Sequence, residues 1–312
     1  MIALGVQTWS TDVAAVARFW RAAEACGYAR ITYGDGLWDF THDGWTMLGA
    51  LAAQTRRVRI GPAVTYAFDR AAHHPSWLAK RAATVDHLSG GRLDLRLAVG
   101  AEDAGTRAAW ERHGIRYPPV AERLEALEQA VGIVRALWRG EAVDTEGAVA
   151  LRGARLAPSP VQRPGPPVWI AAMKPRALAL AARCADGWEA SYVTPATFAA
   201  LNARFDDLLV AAPRPAHDVR RPKHEVRRSI EVDVALVDSR AEAMAWRRRF
   251  CAERGLAEDD PLLATALIGD RETVTAGIAA YAAAGATDLM LGFADFPATG
   301  MLERLARAVE PR

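Results

Sequence analysis

This sequence has few cysteines and no long stretch free of charge. Its three cysteines, Cys26, Cys184 and Cys251, lie far apart and form no CxxC pair, which argues against a disulfide framework and against a zinc site. No apolar run reaches the roughly 18 residues that a membrane-spanning helix requires. The N-terminus, MIALGVQTWS, lacks the basic and apolar regions of a signal peptide. We therefore expect a cytoplasmic protein with no membrane partner.

An excess of charge of either sign is also absent. The 39 Lys and Arg residues nearly balance the 37 Asp and Glu residues, for a formal net charge of +2. A nucleic acid is therefore not expected as the main partner. No histidine pair has the HExxH or HxH spacing of a metal site, no GxSxG holds a nucleophilic serine, and no GxGxxG follows the first strand. We expect neither a metal nor a tightly bound pyridine nucleotide.

Strand-like and helix-like segments alternate along the 312 residues. Each apolar strand is paired with a segment whose apolar residues have helical spacing, which predicts an α/β fold, a (β/α)8 TIM barrel, over residues 1–312 as a single domain. The predicted strands are 2–7, 29–33, 58–66, 93–99, 167–172, 188–192, 229–237 and 287–293. A doubly wound open sheet is the alternative, which the missing GxGxxG disfavours.

Two segments interrupt this alternation. Residues 141–167 contain short alternating runs and a cluster of prolines, which indicates a hairpin-like excursion followed by an extended connector. Residues 211–228, AAPRPAHDVRRPKHEVRR, are polar and basic. They are typical of a surface loop; a cover for an anionic ligand is the alternative.

The chemistry of such a barrel takes place at the carboxyl ends of its strands. After the fifth strand, the segment AAMKPRAL passes directly into a helix, with Lys174 and Arg176 beside free backbone N–H groups. This predicts a phosphate site, because a helix N-terminus and nearby cations both attract an anion. A solvated Lys and Arg without a ligand is the alternative.

Several segments, in a shared order and spacing, resemble the bacterial-luciferase-like family of flavin-dependent oxidoreductases. They are LAAQTRRVRIGPAVTY, HHPSWLAKRAATVDHLSGGR, ERLEALEQAVGIVRALWRGE, PSPVQRPGPPVWIAA and ARCADGW. Within the family, the sequence is most similar to the branch that uses the deazaflavin coenzyme F-420. The glycine pair in LSGGR is then explained as a turn between a helix and a strand, away from the active site.

The resemblance implies a role for each residue of the predicted site. Thr65 and Tyr66 would support the flavin ring, at a strand end where the family often has a bulge or a non-prolyl cis peptide, and Gly100 would lie beside the ring. The implied groups are catalytic residues (Asp35, His74 and Glu102), cofactor contacts (Thr65, Tyr66, Gly100, Ala172, Met173, Lys174 and Arg176) and substrate contacts (Gln7, Trp9, Trp38, Ser191 and Tyr192).

Two departures from the family pattern affect the expected reaction. Many relatives have Asp-His after the second strand, whereas this sequence has Asp35-Gly36, so the usual proton-transfer histidine is missing. Where relatives carry GxGW followed by a glutamate, it has Gly105 and Ala109, and Glu102 or Trp110 would have to compensate.

The missing histidine favours a monooxygenase that acts on a small apolar or aromatic substrate with O2 and reduced FMN, the FMN being supplied by a separate flavin reductase. One alternative is hydride transfer with coenzyme F-420, as a reductase or dehydrogenase. Another is a non-catalytic binding homologue. The resemblance also implies a homodimer formed through helices 76–89 and 120–138.

Overall fold

The computed structural model describes residues 2–212 and 226–309. Its strands are β1 (Ala3–Thr8), β2 (Arg30–Tyr33), β3 (Arg59–Pro62), β4 (Thr65–Tyr66), β5 (Leu95–Ala98), β6 (Val143–Thr145), β7 (Leu151–Ala154), β8 (Val168–Ala171), β9 (Gly187–Ser191), β10 (Arg227–Leu236), β11 (Leu267–Gly269) and β12 (Asp288–Phe293). Its α-helices are α1 (Val13–Ala25), α2 (Gly44–Gln54), α3 (Pro75–Ser89), α4 (Ala104–Glu111), α5 (Val120–Trp138), α6 (Pro175–Cys184), α7 (Pro195–Ala211), α8 (Arg240–Arg254), α9 (Arg271–Ala283) and α10 (Gly300–Val309). None of the described helices is both long and apolar enough to cross a membrane. Most of the predicted basic loop lies outside the described residues.

The parallel strands form a nearly closed barrel. Their order is β3, β2, β1, β12, β10, β9, β8, β5 and β4, and a bridge between Ile60 and Leu93 connects β3 back to the chain just before β5. Strands β2, β5 and β12 are buried throughout, as expected when helices cover the outside of a barrel and side chains fill its inside. The predicted fold is confirmed.

Some elements differ from the sequence-based prediction. The predicted strand 58–66 is wrong in extent, because the chain forms β3 and β4 on either side of a cis peptide bond between Ala63 and Val64. The resemblance implied such a bond at this strand end. Strand β11 and helix α4 were not predicted, since elements this short carry little periodic signal. The excursion at 141–167 does contain a hairpin, formed by β6 and β7.

The glycine pair of LSGGR turns α3 into the strand that follows it. Gly90 and Gly91 have φ angles of +66° and +85°, in the left-handed region that glycine adopts without steric cost. The Gly91 N–H donates to the Asp86 carbonyl at 2.8 Å, which closes the end of the helix. The structural explanation of this pair is confirmed.

A buried ion network lies at the amino-terminal end of the barrel. Asp94 pairs with Arg30 and with Arg59 Nη2 (2.6 Å), while Asp288 pairs with Arg30 Nε (2.8 Å) and Arg227 Nη2 (2.7 Å). Burial by itself would raise the pKa of both carboxyls, but the arginines hold each pKa below its ordinary value. The network is at the end of the barrel where side chains serve stability.

Candidate functional site

A cavity of about 800 Å³ opens at the carboxyl ends of the strands. It is bounded by the Ala63–Val64 peptide, the ends of β5, β8 and β9, the start of α6 and the inner face of β10. The predicted site residues that line it are Tyr66, Gly100, Glu102, Ala172, Met173, Lys174, Arg176 and Ser191. The structure therefore brings most of the predicted cofactor contacts together.

One side of this cavity can hold a phosphate. Helix α6 begins with Pro175 at its first turn, and no side chain caps its N-terminal N–H groups. Lys174 and Arg176 flank this helix start and are both exposed. Free N–H groups, the helix dipole and two cations together favour a bound phosphate. The small residues Ala98, Ala101 and Ala171 in the neighbouring wall leave room for a flat ring.

Gly100 lines the cavity, but the cofactor is not needed to explain it. Its φ is +91°, and a Cβ added here would lie 2.4 Å from the Tyr117 hydroxyl and 2.8 Å from an Arg123 guanidinium nitrogen. The side chain would thus point into packed protein, whereas the resemblance implied only that Gly100 would lie beside the flavin ring.

Gly100→Ala is expected to destabilise the cofactor-free protein by about 1–3 kcal/mol, since both the backbone conformation and the clash oppose a Cβ. Gly114→Ala is the matched control, because Gly114 has a φ of +74° but a Cβ added there would meet nothing within 4 Å. Urea unfolding measures both variants. Equal destabilisation of the two would contradict the packing explanation.

Asp35 lies behind the cavity wall in a buried hydrogen-bonded chain. The Trp45 indole donates to Thr65 Oγ1 at 3.2 Å, and the Thr65 hydroxyl donates to Asp35. His73 Nε2 is 3.9 Å from Asp35 Oδ2. Burial raises the pKa of Asp35, although His73 and Thr65 oppose the shift. These hydrogen-bonded side chains support β4 from behind, and none of them lines the cavity.

The histidine nearest this aspartate differs from the predicted one. The predicted residue, His74, caps α3: its Nδ1 accepts from the Ser76 N–H at 3.3 Å. His73, one residue earlier, is the buried neighbour of Asp35. Adjacent residues in a loop point in different directions, and no sequence pattern distinguishes these two histidines.

The space beside Gly36 is filled by Trp38. A Cβ at Gly36 would lie 2.3 Å from the Trp38 indole nitrogen, and the indole stacks on Phe40 with ring centroids 6.3 Å apart. A histidine at position 36 would therefore collide with the Trp38 indole, which occupies the adjacent space. Trp38 is not among the residues that line the large cavity.

The remaining predicted contacts occupy the centre and the far side of the barrel mouth. Gln7 is buried on β1. Trp9 packs against Phe296, with ring centroids 5.5 Å apart, and lines a second, smaller cavity. Tyr192 follows β9 with a φ of +52° and donates from its hydroxyl to Glu231 Oε1 at 2.7 Å.

Two carboxylates of the cavity, Glu189 and Glu231, were not predicted from the sequence. Glu189 pairs with buried Arg96 and accepts from the Ser229 hydroxyl at 2.9 Å. The signal for Glu231 was present in SIEVDV, where acidic residues alternate with apolar ones within a buried parallel strand. Such alternation places carboxylates inside a barrel.

Trp110, predicted as a substitute for a missing site residue, is a packing residue at the rim. It is buried on α4 and contacts Tyr66 and Phe68 edge-on, with centroids 5.4 and 5.1 Å apart. It therefore fixes the ring of Tyr66, which does line the cavity.

Known proteins share both the sequence pattern and this geometry. The family described as luciferase-like monooxygenase matches residues 3–288. An F420-dependent glucose-6-phosphate dehydrogenase of Microbacterium testaceum (strain StLB037) is 34% identical over 175 residues, covering 53% of this chain and 49% of that protein. A phthiodiolone/phenolphthiodiolone dimycocerosates ketoreductase of Mycobacterium kansasii is 35% identical over 155 residues, covering 48% of this chain and 39% of that protein. The chain thus spans about half or less of the length of these relatives.

Solved structures share the fold over nearly the whole chain. An F420-dependent secondary alcohol dehydrogenase in complex with an F420-acetone adduct superposes with a TM-score of 0.82, at 17% identity and 99% coverage of both chains. The monooxygenase RslO1 from Streptomyces bottropensis superposes with a TM-score of 0.75, at 21% identity, covering 99% of this chain and 98% of that one. The same barrel therefore serves both dehydrogenases and monooxygenases.

Proposed function

The chain belongs to the luciferase-like monooxygenase family, and we propose that it uses the deazaflavin coenzyme F-420 to interconvert a small ketone and its alcohol. The coenzyme, when bound, supplies or accepts a hydride. The chain itself must then hold the coenzyme's phosphate, exclude water, and give or take one proton at the substrate oxygen.

The residues of the large cavity fit the coenzyme. Lys174, Arg176 and the N-terminal N–H groups of α6 would bind its phosphate. Tyr66 and the Ala63–Val64 peptide would support the ring from one side, and the small apolar residues of β5 and β8 would face the other. Such walls exclude water from the reacting carbon.

The observation that carries the choice of hydride transfer is the hydrogen bond from Tyr192 to Glu231, a carboxylate of the cavity wall. Burial, followed by the nearby Glu231 and Asp233 carboxylates, raises the pKa of Tyr192 well above its ordinary value. Tyr192 therefore stays protonated and donates to Glu231 Oε1. In oxidation the Glu231 carboxylate would accept the proton of the alcohol at Oε2, and in reduction the carboxyl, first protonated there from solvent, would give that proton to the carbonyl oxygen.

This pair supports a different conclusion from the one that the missing histidine favoured. A glutamate on β10 can do the proton transfer for which position 36 has no side chain. The F420-dependent name of the Microbacterium testaceum relative also supports the deazaflavin coenzyme.

Monooxygenation with reduced FMN is the second candidate. It is favoured by the largely small and apolar wall, which would protect a water-sensitive reaction. Monooxygenation, however, does not explain why Tyr192 donates to the Glu231 carboxylate in the cavity wall.

Removing both cations at the helix start, in Lys174→Ala with Arg176→Ala, is expected to weaken binding of the deazaflavin coenzyme about tenfold. Each exposed ion pair is worth about 0.2–1 kcal/mol, and about 1.4 kcal/mol corresponds to a factor of ten. Quenching of tryptophan fluorescence measures the dissociation constant. Arg18→Ala with Arg21→Ala, at two exposed arginines of α1, also removes two positive charges and is the charge-matched control, which should not change it. An unaltered constant in the double variant would contradict the phosphate assignment.

A further inference from the structure

A second cavity of about 240 Å³ lies at the same end of the barrel. It is formed between the upper parts of β10 and β12 and the C-terminal half of α8. Aromatic rings line much of it, namely Trp9, Trp246, Phe250, Phe293 and Phe296. We call it the aromatic cavity. It is smaller than the roughly 300–1,000 Å³ typical of pockets for drug-sized ligands, so it suits a small molecule.

The aromatic cavity and the large cavity are lined by nearby residues of β10, although they share no lining residue. Glu231 lines the large cavity and Asp233 the aromatic cavity. Two residues apart on one strand, their side chains point to the same face about 7 Å from each other. Tyr192, hydrogen-bonded to Glu231, also experiences the charges of Asp233 and Arg254. A ligand whose ring lies in the aromatic cavity would therefore reach Glu231 with its polar end by extending past Asp233 along β10.

The charges of the aromatic cavity are matched. Asp233 Oδ2 accepts from Arg254 Nη2 at 2.6 Å, and Arg249 Nε pairs with Glu253 Oε1 at 2.6 Å. Among the described lining residues the formal charges therefore cancel. Because no charge is left over, neither an anion nor a cation gains from entering, and a neutral ligand is favoured.

The close approach of two of its groups depends on a glycine. A Cβ at Gly292 would lie 2.7 Å from Asp233 Oδ1 and 3.2 Å from Trp9 Cη2. Any side chain at this position would push the carboxylate and the indole apart. The cavity therefore offers a polar edge, Asp233 with Arg254, directly beside an aromatic one.

We propose that the aromatic cavity is the substrate site and that the substrate is a small neutral ketone or secondary alcohol with an aromatic or compact apolar body. This rests on the proposed function for its chemistry, though not for the binding itself. In reduction, hydride from the reduced coenzyme adds to the carbonyl carbon and the C=O π bond breaks. The oxygen takes a proton from Glu231 Oε2, which solvent has protonated beforehand, and Glu231 is left as the carboxylate that accepts from Tyr192.

Binding can be tested on the cofactor-free protein with acetophenone as the probe. The tryptophans are replaced by 5-fluorotryptophan, and the ¹⁹F resonances of Trp9, Trp246 and Trp77 are assigned with single Trp→Phe variants. We expect saturable shifts at Trp9 and Trp246 with a dissociation constant in about the millimolar range. Trp77, 61% exposed on α3, is the control and should not shift. Shifts absent from Trp9 and Trp246 would overturn the proposal.

The neutrality of the site is tested with benzoate and benzylammonium, which keep the ring and add a charge. Both should bind about tenfold more weakly than acetophenone, since each leaves one charge uncompensated. Asp233→Asn removes one negative charge and should strengthen benzoate binding severalfold. If a charged probe binds wild-type protein more tightly than acetophenone, or if Asp233→Asn leaves benzoate binding unaltered, the assignment fails. Failure of the deazaflavin coenzyme to bind, with acetophenone shifts intact, would instead contradict the proposed function.

Discussion

Glu231→Gln is expected to lower the rate of ketone reduction by the reduced deazaflavin coenzyme about 100-fold or more. General acid–base catalysis by a positioned side chain contributes about 10²–10⁴-fold, and a glutamine cannot release a proton. The amide is nearly the same size and can still accept from the Tyr192 hydroxyl. The coenzyme should therefore bind as in the wild type, and the loss should appear in the single-turnover rate measured by anaerobic stopped flow.

Glu125→Gln makes the same chemical change on the exposed face of α5 and is the control for this prediction. Tyr192→Phe keeps the carboxyl but removes its hydrogen-bond donor, so an intermediate loss is expected. A Glu231→Gln rate within about threefold of wild type would contradict the acid–base role, because such a loss is far below the usual contribution.

Asp94→Asn, at the opposite end of the barrel, should lower the free energy of unfolding by about 3–5 kcal/mol. Removing one partner of a buried ion pair leaves an uncompensated buried charge, and here Arg59 would lose its carboxylate while Arg30 would keep only Asp288. Urea unfolding measures the loss. Asp238→Asn is the matched control, since Asp238 pairs with Arg304 at the surface and its side chain is 78% exposed. Similar losses in the two variants would contradict the importance of burial.

The same carboxyl makes stability depend on pH. The pKa of Asp94 is lower in the folded protein than its ordinary value. The stabilisation of the fold by the ionised Asp94 carboxylate is therefore fully present above about pH 4 and is lost as the pH falls further. Asp233 acts in the opposite direction: burial raises its pKa to about 6, which costs stability as the pH rises from about 4 to 6. The difference in unfolding free energy between wild type and Asp94→Asn isolates the first effect. We expect that difference to shrink below about pH 4.

Much of the fold could be predicted because it depends on local patterns. Buried parallel strands are continuous apolar runs, and the helices between them have apolar residues at 3.6-residue spacing. The helix start that could bind a phosphate was also predictable, because its position directly after a strand is visible in AAMKPRAL. Strand β11 escaped prediction, since three residues carry no period.

The proposed catalytic centre was harder to predict, because neighbouring residues of the chain point their side chains in different directions. His73 and His74 are adjacent, yet one packs beside Asp35 and the other caps a helix. Asp35 lies two residues after β2, but its carboxylate points behind the cavity wall toward Thr65. Glu231 lies in the middle of β10, so a search limited to strand ends misses it. Only closure of the barrel brings this residue into the cavity.

Parallel titrations of the purified protein with the deazaflavin coenzyme and with FMN, each oxidised and anaerobically reduced, test the central claim most directly. Tryptophan fluorescence reports binding in every case. We predict that the deazaflavin coenzyme binds about tenfold or more tightly than FMN in the same redox state, a difference of about 1.4 kcal/mol. Saturable binding of reduced FMN with no binding of the deazaflavin coenzyme would contradict the claim and leave monooxygenation as the better account.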